Sequence, residues 1–151
     1  MSTLNKRIFI ELEDGLFTHL KHRTEMLLRG NPQISTEIVI TDRDKELIER
    51  FFEDMKSEFQ NELGIVGSSS NHPGNKLIIE MTARQQEAKT AQLQGILLQA
   101  AQEYLLMRWL DALNLLDLSN FRRAVYTKLL NDFKQNSTNM AFVVPKYRPY
   151  F

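Results

Sequence analysis

The chain predicts an all-α fold, a bundle of four to five helices over residues 1–139 followed by an extended C-terminal arm over 140–151. Three observations point there. Apolar residues recur at three- and four-residue spacing through residues 41–63, and residues 77–116 combine strong helix propensity with an apolar second half. The chain then closes on MAFVVPKYRPYF, where Pro145 and Pro149 remove backbone donors and fix φ, so this segment reads as an arm that follows a helical body. At 151 residues the whole fits one domain with a core of useful size.

The first element reads as a helix from about Asp14 to Arg29, with Leu16, Phe17, Leu20, Leu27 and Leu28 on its apolar side. Residues 6–12 either extend this helix or form a short strand, because Ile8, Ile10 and Leu12 alternate while Phe9 breaks the pattern. Gly30-Asn31-Pro32 closes the element, since glycine suits a left-handed cap and proline cannot continue a helix. Residues 37–40 (EIVI) are β-branched and apolar, which suits a short strand or a hydrophobic lead-in to the next helix.

That next helix, over residues 41–63, has the fullest set of signals. Thr41 supplies an N-cap oxygen, Asp42, Asp44 and Glu46 lie where the helix dipole favours negative charge, and Gly64 stands at the position of a left-handed cap. Leu47, Ile48, Phe51, Phe52, Met55, Phe59 and Leu63 form its apolar stripe. Such a stripe ordinarily faces a core, and a groove that holds a partner helix is its functional alternative.

Residues 65–75 (IVGSSSNHPGN) read as a flexible loop. From Leu77 to Leu116 the chain reads as one long helix or as two helices broken near Gly95. The apolar second half takes the centre of the fold, and the polar segment 82–94 projects from the body or lies against another chain. Ser119 or Asn120 is expected to cap a final helix in which Phe121, Val125, Leu129 and Phe133 recur every four residues, and residues 136–139 release the arm.

Composition narrows the function. Cysteine is absent, which removes disulfides, thiolate metal sites and a cysteine nucleophile. The most apolar region, residues 96–118, is interrupted by Gln99, Gln102, Glu103, Arg108, Asp111, Asn114 and Asp117, so it reads as a buried helix and no membrane contact is expected. The N-terminus lacks a secretory pattern, and the expected location is the cytoplasm. Zero net charge argues against nucleic-acid coating, and no sequence-specific nucleic-acid binding is expected. The charge is unevenly placed, with 9 basic and 13 acidic residues in 1–75 against 10 basic and 6 acidic in 76–151. Complementary halves either pack within one subunit or meet head to tail between subunits.

Signatures of chemistry are missing, among them phosphate loops, dinucleotide turns, zinc helices and EF-hand loops. His19, His22 and Glu25 share one helix at metal-ligand spacing, but a closed site needs further ligands, and a solvated face is the simpler reading. Ser68, Ser69, Ser70 and His72 lack a nucleophile elbow and an orienting acid. Glu11, Glu13 and Asp14 read as an exposed helix start. No catalytic, cofactor-binding or metal residue is assigned. The expected partner-binding residues are Phe142, Val144, Tyr147, Arg148, Tyr150 and Phe151, since exposed aromatics and cations on a short arm need a surface to cover them.

The order of an acidic amphipathic helix (41–64), an apolar central helix carrying AAQEYLLMRWLDALNLL, a return helix NFRRAVYTKLLNDF and an extended arm resembles the small helical head–tail connector, or adaptor, proteins of tailed bacteriophages and prophages. The resemblance covers residues 41–151 as a layout. It implies a non-enzymatic structural subunit, assembled with copies of itself as a ring between portal and tail, with the arm engaging a neighbour and with virion association. The alternative is an intracellular regulatory module that binds a protein partner through the helix at 41–64.

Overall fold

A computed structural model describes residues 6–63, 75–81 and 87–137. Its body is helical, as expected, and carries one small antiparallel sheet. Strand β1 (Lys6–Glu11) leads through a wide turn into α1 (Phe17–Gly30), α2 (Lys45–Leu63), strand β2 (Lys76–Met81), α3 (Glu87–Ala112) and α4 (Leu116–Ser137).

The alternation at Ile8, Ile10 and Leu12 resolves as a strand. β1 pairs with β2 in the register Ile8↔Ile79 and Ile10↔Leu77, and these four side chains are buried together. Residues 76–81 are therefore a strand where a helix was expected from Leu77. The run Leu77-Ile78-Ile79 suits a pleated surface once a partner strand is beside it. Two strands alone are marginal, and α3 supplies the missing cover. Gln94 of α3 accepts a hydrogen bond from the Phe9 N–H at 3.3 Å and donates its amide to the Phe9 carbonyl at 3.0 Å, which satisfies the backbone of β1 at Phe9 on its open edge. The start of α3 is thereby part of the body. Thr90 and Leu93 are buried there, so residues 90–94 of the segment expected to project are packed, while 82–86 lie outside the described residues.

Between β1 and α1, Gly15 adopts φ +86°, a left-handed conformation that glycine takes at least cost. α1 ends without a left-handed glycine, contrary to expectation. Gly30 stays within the helix, and Asn31 performs the capping by donating its side-chain amide to the Leu27 carbonyl at 3.0 Å and its backbone N–H to Leu28 at 3.2 Å.

Residues 37–40 form no strand. Ser35 caps a single 3-10 turn, Thr36–Ile38, in which the Ile38 and Val39 N–H groups bond back to the Ser35 and Thr36 carbonyls, while two further backbone groups go to side chains. Trp109 donates its indole N–H to the Ile38 carbonyl at 2.7 Å, and Thr24 accepts the Ile40 N–H at 3.0 Å. Ile38 and Ile40 are buried, so the segment is the hydrophobic lead-in to α2. At that helix start the Asp44 carboxylate reaches back to the Thr41 N–H at 2.9 Å. The α2 stripe then enters the core, with Ile48, Phe51, Phe52, Met55 and Phe59 buried and Leu47 and Leu63 packed against them.

α3 is continuous through Gly95 and central, burying Leu97, Ala100, Ala101, Leu105, Leu106 and Leu110 among others. A tight turn at Asn114, which tolerates φ +60°, reverses the chain into α4. The contacts Asp111–Ser119, Glu103–Arg122, Tyr104–Tyr126 and Gln92–Asn136 show α4 returning antiparallel along α3. Two expectations shift here. Ser119 lies buried inside α4, bonded to Asp111, and the helix begins three residues earlier at Leu116. The buried stripe of α4 is Ser119, Tyr126, Leu130, Phe133 and Ser137, while Phe121 is 59% exposed. A strict repeat of four drifts around a helix of 3.6 residues per turn, so Phe121 and Phe133 cannot face the same way. No helix among the described residues is long and apolar enough to cross a membrane.

Candidate functional site

The six expected partner-binding residues, Phe142, Val144, Tyr147, Arg148, Tyr150 and Phe151, lie outside the described residues, as do Ser68, Ser69, Ser70, His72 and the Gly64 cap position. The side chain of Asp14 is likewise outside the described residues; the other weighed groups are placed. Glu11 stands 3.8 Å from Lys76, and Glu13 binds Lys45 at 3.0 Å, so both are partnered surface acids. The hydrogen bonds from Lys45 and Asn75 hold the Glu13 carboxyl below its ordinary pKa. His22 lies 3.9 Å from Glu25, while His19 is half-buried with Nε2 shielded and without a hydrogen-bond partner. Among the described residues no three His, Asp or Glu side chains gather in a metal-holding group.

Beside His19 the structure builds a junction that the sequence did not single out. Glu103 of α3 is only 7% exposed and receives Arg23 of α1 at 3.2 Å on one oxygen and Arg122 of α4 at 2.9 Å on the other. One carboxylate thus ties three helices through two charge-assisted bonds. Burial, with help from the Arg23 and His22 charges, pushes the His19 pKa below its ordinary value, and Glu103 opposes that shift.

On another side, α2, α3 and α4 enclose an open groove of about 350 Å³. Its floor is aromatic. Tyr104 and Tyr126 meet edge to face with centroids 5.3 Å apart, and Tyr126 stacks on Phe59 at 6.3 Å. The Tyr126 hydroxyl donates to Glu58 at 2.6 Å, and Arg108 donates to the Tyr104 hydroxyl at 2.6 Å while lying 4.6 Å above the Phe51 ring. Burial and the neighbouring Glu58 charge push the Tyr126 hydroxyl far above its ordinary pKa, so it remains a donor.

The two walls carry opposite charge. α2 presents Glu58 and Glu62; α4 presents Arg123 and Lys134 with the uncharged Thr127 and Asn131 between them, and Arg108 of α3 brings the lining to three cations against two acids. Asp54 pairs with Arg108 at 3.0 Å and Glu62 with Lys134 at 3.5 Å. The complementary halves noted in the sequence therefore meet inside one subunit, as one of its two readings anticipated. This groove was missed because it joins side chains separated by up to 76 positions, and no local pattern marks such a place. Its walls carry hydrogen-bond donors and acceptors above a floor whose Tyr104 and Tyr126 are themselves only 3% and 5% exposed.

Comparison with protein-family models, with curated protein sequences and with solved structures finds no match.

Proposed function

We propose that the chain is a non-enzymatic structural subunit of the head–tail connector type, which assembles with copies of itself through the arm at residues 140–151. The observation that supports this reading is the layout itself. An acid-bearing α2 packs on an apolar α3, α4 returns antiparallel along α3, and the chain then runs into a segment with four aromatic residues and two prolines. The partner-helix alternative at 41–64 has no such support, because the apolar face of α2 is turned into this chain's own core.

Truncation after Asn139 tests the proposal. The shortened protein is expected to keep its helical circular dichroism and to lose self-association in sedimentation velocity. A truncated chain that assembles normally, or one that unfolds as a monomer, overturns it.

A further inference from the structure

We propose that the open edge of β2 pairs antiparallel with β2 of a second copy of this chain, joining two two-stranded sheets into one of four strands across a two-fold axis at Ile78. This contact goes beyond the assembly reading above and does not use the arm. The edge follows from the register. Gln94 takes both backbone groups of Phe9 on the outer side of β1, so Ile8 and Ile10 direct theirs toward β2, and their partners Ile79 and Leu77 direct theirs back. Lys76, Ile78 and Glu80 therefore turn their N–H and carbonyl groups away from β1. Among the described residues no third strand lies on that side, and nothing there bonds to the Ile78 backbone. A row of such groups is a template for another strand, and β2 carries neither a proline nor a bulge to guard it.

Charge complementarity selects the second copy as the occupant. Antiparallel pairing centred on Ile78 sets Lys76 of each chain opposite Glu80 of the other, and it brings all three outward-directed residues into hydrogen-bonded pairs. Within one chain Lys76 already stands opposite Glu11, and Glu80 opposite Arg7. The outer rows of the joined sheet then read Glu11, Lys76, Glu80, Arg7, alternating in sign from strand to strand. Sliding the strands by two residues either way sets Lys76 or Glu80 against Ile78, and parallel in-register pairing sets like charges side by side. Lys76 is exposed and 3.8 Å from Glu11, which leaves it room for a second carboxylate. The Ile78 side chain is buried, so the edge offers a neighbour its backbone and its charged ends. Leu77 and Ile79 stay on the core face in both copies, and a sheet of two strands, marginal by itself, gains two more.

Charge reversal in the full-length chain tests the pairing. Lys76→Glu alone sets acid against acid at both ends of the contact, and Glu80→Lys alone sets base against base. An equimolar mixture of the two variants restores both opposite-charge pairs. The contact is small, so at sedimentation concentrations it is expected to strengthen association that the arm holds, and truncated chains fall apart without it. The expected result is self-association at least about fivefold weaker in each variant, with normal helical circular dichroism, and regained on mixing. Amide exchange at Ile78 is expected to slow in assembled wild type and in the mixture. Equal association of wild type, the variants and their mixture overturns the pairing, as do folded variants that stay weak when mixed; assembly still abolished by truncation after Asn139 then leaves the arm reading standing. Loss in each variant and recovery on mixing, with truncation leaving assembly unchanged, upholds the pairing and overturns the arm.

Discussion

At the scale of single residues, the two glycines Gly15 and Gly95 make opposite predictions from the same atom. Neither would meet a neighbour within 4 Å if it carried a Cβ, so crowding plays no part. Gly15 holds φ +86°, where an L side chain is strained, and Gly15→Ala is expected to destabilise the fold by roughly 1–2 kcal/mol. Gly95 sits exposed in the interior of α3, and Gly95→Ala is expected to stabilise it by about 0.4–1 kcal/mol, because alanine lowers the entropy of the unfolded chain. Urea denaturation of the pair checks the signs. His19 supplies a pH dependence. Its pKa is lowered in the folded state by burial and by Arg23 and His22, so the unfolded chain takes up a proton more readily and stability falls as pH drops below the unfolded value of about 6.5. His19→Gln is expected to flatten the fall in stability that sets in below about pH 6.5. An unchanged slope in His19→Gln refutes the assignment.

At the scale of elements, the Glu103 junction explains how α1, a helix with only Phe17, Leu20 and Thr24 fully buried, is held to the α3–α4 hairpin. Removing the shared carboxylate leaves Arg23 and Arg122 side by side without a counter-charge, and because both arginines keep some contact with solvent, at 28% and 19% exposed, Glu103→Ala is expected to cost about 1–3 kcal/mol. The triple replacement Arg23→Met, Glu103→Leu, Arg122→Met is expected to recover most of that loss, since an ion triad withdrawn from water and exchanged whole for apolar side chains is often neutral. Thermal melts of the two variants decide it; equal losses would mean that the junction's shape, and not its charge balance, matters. The elements also show where local reading stops. α2 was legible nearly whole, since its N-cap threonine, its acidic first turn and its stripe all lie within 23 consecutive residues. β2 was read as helix because Leu-Ile-Ile is compatible with either state, and what decides between them is the pairing with Lys6–Glu11 some 70 positions away.

At the scale of the whole molecule, charge and aromatic area divide the work. The α2 acids meet α3 and α4 cations within the subunit through Asp54–Arg108 and Glu62–Lys134, which lowers the charge available for head-to-tail attraction. The proposed association through the arm is then expected to rest on its aromatic residues, with Lys146 and Arg148 contributing a screened part. Raising sodium chloride from about 0.05 M to 0.5 M should weaken self-association severalfold without abolishing it, because exposed charges are screened within about 10 Å at 0.1 M salt. Sedimentation equilibrium across that range checks this, and complete dissociation would move the binding energy from the aromatics to the charges.

What the sequence determined by itself was what repeats locally: the helical class, the stripe of α2, the central place of Leu97–Leu110 and the existence of a final helix. Those follow from periodicity, which a chain expresses within a few turns of helix. Tertiary structure alone decided what depends on partners distant in sequence. It made residues 76–81 a strand, fixed residues 37–40 as an irregular lead-in by binding their backbone to Thr24 and Trp109, and rotated the buried face of α4 from Phe121 to Tyr126. It also created the Glu103 junction and the groove, since a carboxylate bound by two arginines from different helices, and a tyrosine bound to a glutamate 68 positions away, have no signature in either local stretch. Buried polar groups must find partners wherever the fold places them, and only the closed fold shows where those partners are.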